Sequence, residues 1–400
     1  MVFMRAVRFF AFSFFILHSA FALATPVEVN WGASETLPAK VARPFGGFLE
    51  DGSFLVAGGS DFVDGTKVYR ADVQLRAADG SWTKRGELPQ PLAEGVSCET
   101  SEGLFCAGGT DGKTVSAKAF LLNSPAEGCG VTELPNLPEP VQMGAAACDG
   151  KFVYVVTSSK IYRLELSARS SQSDTQTRKQ WTPVAELPGV ARSQPVAVVQ
   201  AGDREEKPLG VYGGFGVVTE APLRDGYGLV LSTGSWKKLA DLPEDTTTIG
   251  AAFLASGHQH VLLIGGFGYE GWIARAQNGS TETDPVKLGW QRKILAYNCV
   301  TDAWCDYGAL AEGDEPRCGA AAGLKKGKTP EQYELILAGG ERAPACRTDA
   351  VSTACFVKTG KFGASAWTVV AIYACLMVGL ACYFIFKKKD ENDYFRGGGK

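Results

Sequence analysis

Short apolar runs recur along this chain at even spacing, and most of them end in a pair of glycines. FLVAGG ends at Gly58 and Gly59, LFCAGG at Gly108 and Gly109, and GVYGG at Gly213 and Gly214; VLLIGG ends at Gly265 and Gly266, LILAGG at Gly339 and Gly340. A degenerate copy, FVYVVTSS, fills the gap around Thr157. Consecutive apolar residues without polar alternation mark a strand covered on both faces. The glycine pair predicts a sharp turn with φ > 0 where neighbouring units crowd together. A second apolar run follows each pair, often with a tryptophan and a Leu-Pro turn behind it: Trp82 with GELP, Trp181 with AELP, Trp236 with ADLP, and Trp304 with GAL. Cys129 with TELP holds the same slot without a tryptophan. Each tryptophan is expected to cap an outer strand and to pack against the next unit.

The period of about 50 residues is the length of one four-stranded kelch blade. The expected fold is therefore all-β: a six-bladed kelch-type β-propeller over residues 25–361. The sixth double-glycine slot has no tryptophan strand after it, whereas VEVNWGASETLP, with Trp31, precedes the first full repeat. An N-terminal strand that completes the last blade closes the ring and removes the open sheet edges of a partial one. Residues 268–285 lengthen the interval between Gly266 and Trp304. They read either as a functional loop on one face of the ring or as a plain surface excursion. The polar tract 167–179 reads as linker.

The ends follow other patterns. Arg5 and Arg8 precede an apolar run that closes on Ala22 and Ala24, the layout of a signal peptide over 1–24. A first membrane helix is the alternative, disfavoured because the apolar core is short for a span. Residues 362–386 carry no charge and are followed by Lys387, Lys388 and Lys389. That predicts a transmembrane helix with the tail 387–400 on the cytoplasmic side and the body outside.

Composition adds exclusions. A net charge of −3, with no dense basic stripe, argues against a nucleic-acid partner. Eleven cysteines suit an oxidising compartment. Cys98 with Cys106 and Cys299 with Cys305 are the local candidates for pairing, although sequence does not fix connectivity. Three histidines, one of them in the signal, leave little for a metal site, and no cofactor is expected.

The candidate chemistry lies ahead of the blades. Arg43 in VARPFGG, Arg192 in VARSQPV and Arg317 in EPRCGAA are expected at one register, facing one mouth of the channel. Converging guanidiniums would bind a carboxylate, although any single one is more ordinarily a solvated charge. Glu341 follows a double glycine and Arg347 lies just beyond it, so both are expected at the same mouth. They read either as a structural ion pair or as proton-exchanging chemistry.

GGERAPACRTDAV, from Gly339 onward, resembles the N-G-E-x-x-P-x-x-R-T-D-x-V segment of bacterial N-acetylneuraminate (sialic acid) epimerases, or mutarotases. FGGFLEDGSFLVAGGSDF, GSWTKRGELPQPLAEGVS and GGTDGKTVSAKAFLL resemble that family's blade texts across most of the ring, in rotated order. The resemblance is therefore to the cyclically permuted branch. It implies that Glu341 is the acid/base, that Arg347 and Arg192 are site residues, and that the substrate is sialic acid. Ser193 and Gly339 depart from the family's Asp and Asn. DENDYFRGGGK, after the apolar segment, resembles the first cytoplasmic loop of sodium/solute symporters, which implies a membrane-bound symporter partner. The expected activity is anomer interconversion on the periplasmic side of a bacterial inner membrane. The competing class is a non-catalytic glycan- or protein-binding propeller attached to a transporter. A sialidase is disfavoured because no Asp-box recurs, and a copper oxidase because histidine ligands are lacking.

Overall fold

The computed structural model describes residues 27–123, 128–166, 180–200, 208–256, 260–269, 287, 289–329, 332–358, 368 and 371–379. The chain divides into two compact units, one of residues 29–356 and one of 1–28 with 357–400. In the second, residues 368 and 371–379 are helical. Among the described residues no helix is long and apolar enough to cross a membrane. The expected signal, the linker 167–179, the tail 387–400 and most of the expected span 362–386 lie outside the described residues.

Residues 29–356 are almost entirely β. Six larger sheets each carry a path of four strands in the order first, second, third, fourth, and in the last of them Glu35–Thr36 adds a fifth strand beside Ala350–Lys358. Their first strands are Phe45–Phe48, Val96–Thr100, Ala145–Cys148, Val196–Val199, Ala251–Ser256 and Ala321–Lys326, which number the sheets one to six. Each first strand touches the next in this cyclic order, and Ala321–Lys326 touches Phe45–Phe48. The arrangement is consistent with a β-propeller. In sheet six the outer strand comes from the N-terminus: Val27–Trp31 lies beside Ala350–Lys358, and the Gly32 N–H donates to the Thr353 carbonyl at 2.8 Å.

The apolar runs form the second strands. Phe54–Ala57, Gly103–Ala107 and Leu209–Tyr212 are buried at every position. Both faces pack: Leu55 and Val73 of sheet one meet Leu104, Phe120 and Leu122 of sheet two in one cluster. Full burial of such a side chain stabilises by roughly 1.5–3 kcal/mol. The paired glycines end these strands because nothing larger fits. Gly58 and Gly59 have φ of 66° and 92°, and a Cβ on Gly58 would stand 2.3 Å from the Leu92 carbonyl oxygen of the connection to the next sheet.

The tryptophans pack backward, not forward. The Trp181 indole N–H donates to the Pro135 carbonyl at 2.8 Å, Trp236 to Glu186 at 3.1 Å, and Trp304 to Ala240 at 3.4 Å. Each acceptor lies in or just before the Leu-Pro turn of the preceding sheet. The tryptophan of one repeat and the turn of the one before therefore form a lock. Trp304 also stacks edge-on to Tyr212 of sheet four, with centroids 5.6 Å apart.

The local cysteine pairings fail on register. Cys98 stands opposite Phe105, so the neighbouring Cys106 points to the other face of the sheet. Cys305 stands opposite Ala296, and Cys299 is an odd number of residues further on, again on the opposite face. Cys98 and Cys106 accordingly contribute to different clusters, on either side of sheet two.

Trp304→Ala should cost about 3 kcal/mol, the low end for an aromatic truncation because the ring is half-buried. Urea unfolding followed by far-UV circular dichroism measures it. A variant as stable as the parent would remove the lock between sheets four and five.

Candidate functional site

The starts of the first strands are joined by a belt of main-chain hydrogen bonds that edges the mouth of a cavity. The residue two positions ahead of each first strand is Arg43, Glu94, Met143 or Gln194 in sheets one to four; its counterparts in sheets five and six are Gly250 and Gly319. All six have positive φ, between 52° and 68°. The Arg43 N–H donates to the Gly319 carbonyl at 2.7 Å, Glu94 to Arg43 at 2.9 Å, Met143 to Glu94 at 2.7 Å, and Gln194 to Met143 at 2.6 Å. Gly319 in turn donates to Gly250 at 2.8 Å. At sheet five a hydroxyl substitutes, since Thr248 Oγ1 donates to the Gln194 carbonyl at 3.2 Å. These residues line a cavity of about 150 Å³.

Above the belt, the chain leaving most second strands makes a hairpin or an extended excursion. In sheet six it is Glu341–Ala343 paired with Cys346–Arg347. It is pinned to the belt because Cys318, the neighbour of Gly319, exchanges both backbone hydrogen bonds with Glu341, at 2.9 and 2.8 Å. Glu341 stands directly across from Arg347, and their side chains meet at 2.6 Å between Oε1 and Nη1. Glu341 Oε1 also accepts from the Ala345 N–H at 3.0 Å. The Arg347 side chain is 5% exposed, with the Phe62 ring 5.0 Å from its guanidinium carbon. Among the described residues its Nε has no hydrogen-bond partner, as is also true of Nε of Arg192 and Arg317. Its Nη1 is in ion-pair contact with Glu341 but makes no hydrogen bond, and the hydroxyl of buried Ser60 is without a partner too. An orphaned buried donor beside a carboxylate leaves bonding capacity for a ligand.

The three arginines expected at one register are not at one register. Arg43 is in the belt, whereas Arg192 and Arg317 each stand two residues before it. That shift turns their side chains into the body. Arg192 is 1% exposed and forks onto Asp225 at 2.9 and 3.0 Å, with the Gly213 and Pro188 carbonyls as further acceptors. Arg317 is buried, bonds the Ala350 carbonyl at 2.7 Å and the Ser352 hydroxyl, and burial lowers its pKa despite Asp314 and Glu315. A buried guanidinium must be paired, and both of these are spent on structure. Arg43 differs. Its stem crosses Gly319, where a Cβ would come within 2.7 Å of its Cγ. Its guanidinium has no side-chain partner among the described residues. It is a cation held at the mouth, beside the strand that carries Glu341.

Sequence reasoning missed Glu94 and Gln194. The available signal was a belt residue followed by proline, glycine or alanine before each first strand: RP, EG, MG, QP, GA and GA. In sheet three only residues 157–159 join the second and third strands, so the mouth has no hairpin on that side. The stem of the long interval in sheet five is fixed by Phe267 against Trp290, with centroids 5.2 Å apart; residues 270–286 lie outside the described residues. Among the described residues no group of side chains could hold a metal ion.

Comparison with known proteins gives three informative relatives. The chain is 26% identical over 270 residues to the N-acetylneuraminate epimerase of Pasteurella multocida, covering 62% of this chain and 65% of that protein. It is 27% identical over 244 residues to the enzyme of that name from Salmonella arizonae, covering 55% and 58%. It is 24% identical over 235 residues to N-acetylneuraminate epimerase 1 of Escherichia coli O6:H1, covering 54% and 58%. The chain thus spans less than two thirds of the length of the relatives it matches. No family model matches it.

Arg192→Ala strands Asp225 and two carbonyls and should cost about 3–5 kcal/mol, whereas Arg43→Ala should change stability by less than about 1 kcal/mol. Thermal melts of the two variants decide the division; equal losses would reject it.

Proposed function

We propose that this chain is a mutarotase for sialic acid, interconverting the α and β anomers of N-acetylneuraminate. The scaffold in this reading is a six-bladed kelch-type propeller closed by its N-terminal strand. The observation that carries the reading is the Glu341–Arg347 pair, bonded through Cys318 next to a cavity whose lining includes Arg43, a cation with no side-chain partner among the described residues. The names of the relatives supply the substrate.

The chemistry fits these groups. Opening the sugar ring breaks the bond between the anomeric carbon and the ring oxygen. The anomeric hydroxyl loses its proton as the ring oxygen gains one, which leaves a ketone and a chain hydroxyl. Rotation about the adjacent carbon–carbon bond and reclosure by the reverse transfers give the other anomer, with no net change in atoms or electrons. Glu341 takes the first proton and delivers it to the ring oxygen. Among the described residues its Oε2 has no protein partner, which leaves that atom to the sugar. Arg347 and Arg43 hold the substrate carboxylate, and when Arg347 turns to the substrate it frees Glu341 to act as a base.

In the same reading the blades are cyclically permuted relative to the epimerases. Residues 1–24 export the chain and 362–386 anchor it, with the propeller on the periplasmic side of a bacterial inner membrane. Product is handed to a sodium/solute symporter whose first helix and loop 362–400 resemble. Trypsin added to spheroplasts should leave an epitope at residues 387–400 intact; cleavage from outside would reverse the orientation.

The decisive test is NMR exchange spectroscopy on N-acetylneuraminate. Glu341→Gln should slow anomer exchange by about 10²–10⁴-fold while binding survives. Arg347→Ala should weaken binding by about 2–5 kcal/mol. Equal exchange for wild type and Glu341→Gln would remove Glu341 from the mechanism. A wild type that binds the sugar without accelerating exchange would make the chain a binding module.

A further inference from the structure

The belt distributes its side chains unevenly around the mouth. Gly250 and Gly319 leave open floor on the side where Cys318 bonds Glu341, while Arg43, Glu94, Met143 and Gln194 wall the rest of the cavity. Glu94 is the unusual member. It is 6% exposed, and a buried carboxylate persists only with partners. Its two partners come from separate elements. Lys67 Nζ, on the strand Thr66–Tyr69, lies 2.8 Å from Oε1, and Gln142 Nε2, ahead of sheet three, lies 2.6 Å from Oε2. Burial works against ionisation of Glu94, but the bonds from Lys67 and Gln142 and the charges of Lys67 and Arg43 outweigh it. They hold the carboxyl below the usual glutamate range.

An ionised carboxylate has about four acceptor positions, so two protein donors leave Glu94 with capacity toward the cavity. Gln194, on the same belt, has a buried side-chain oxygen with no hydrogen-bond partner among the described residues. These groups are acceptors, whereas Arg43 and Arg347 are donors only. The mouth is thus polarised, with cations toward sheets six and one and acceptors at sheets two and four. A ligand that matches it carries a carboxylate at one end and several hydroxyl or amide N–H donors at the other.

We infer that Glu94, positioned by Lys67 and Gln142, forms with Gln194 a second subsite. It takes the hydroxyl-bearing chain and the N-acyl N–H of the sugar acid while Arg43 and Arg347 take its carboxylate. This rests on the sugar-acid reading above and adds the residues that select among sugar acids.

The test is titration calorimetry on the full chain with two probes. One is the α-methyl glycoside of N-acetylneuraminate, which cannot ring-open. The other is a shorter keto-deoxy sugar acid without the N-acyl group. Glu94→Gln should weaken the glycoside about tenfold, as expected for a hydrogen bond to a charged group, and the shorter acid less than about twofold. Lys67→Met should shift the glycoside in the same direction. Gln194→Leu removes an acceptor that has no protein partner, so it carries the test should Glu94→Gln fail to fold. Equal weakening of both probes, or of neither, would make the Lys67–Glu94–Gln142 cluster a structural tie and overturn the inference. Discrimination between the probes without anomer exchange would sink the mutarotase reading and leave the subsite standing. A wild type that binds neither probe overturns both.

Discussion

Where the first strands begin, backbone N–H and carbonyl groups face a narrow channel and cannot all be hydrated, so they must bond to one another. The belt is the solution: Gly319 to Arg43, Arg43 to Glu94, Glu94 to Met143 and Met143 to Gln194, each within 2.6–2.9 Å. It requires a left-handed backbone at every station. For a residue with a Cβ that conformation costs about 1–2 kcal/mol, and four of the six stations carry one. Such strain persists only where the surroundings over-determine it, and here each station is gripped by the sheets on both sides. The same conformation that satisfies the main chain aims the belt side chains at the mouth.

The division among the arginines follows from this geometry. A guanidinium two residues ahead of the belt is carried into low-dielectric packing and needs fixed acceptors: Arg192 has Asp225 and two carbonyls, Arg317 has Ala350 and Ser352. A guanidinium on the belt stays partly hydrated and needs none. Arg43 is held by its stem instead, lying in the space that Gly319 leaves. Identical residue types two positions apart in register thus become a staple in one case and a cation facing the cavity in the other.

The hairpin of sheet six is tied to the belt by the two Cys318–Glu341 hydrogen bonds and to sheet one through Phe62 beneath Arg347. Glu341 and Arg347 are therefore positioned by main-chain pairing on one side and by packing on the other. A carboxylate in that setting is presented to the mouth without the entropy cost of ordering a free loop. The missing hairpin at sheet three lowers the wall there, three sheets away in cyclic order from Glu341.

How many repeating units the chain holds was legible in the residues alone, because short apolar runs ending in paired glycines recur at about the 50-residue spacing of a four-stranded blade. The sequence also brought out Glu341 and Arg347, through the double glycine just ahead of them and the resemblance of GGERAPACRTDAV to the epimerase segment, while their direct cross-strand pairing came only with the hairpin. The tertiary structure alone decided what depends on register and on neighbours from another repeat. The tryptophans lock onto the preceding turn and not the following one, because their acceptors, Pro135, Glu186 and Ala240, lie 46, 50 and 64 residues upstream. Cys98 and Cys106 face apart because adjacent positions on paired strands alternate faces. Arg192 and Arg317 are consumed by structure while Glu94 and Gln194 are delivered to the mouth. A two-residue offset is invisible in composition, and it becomes decisive only when the first strands of six sheets touch one another in turn.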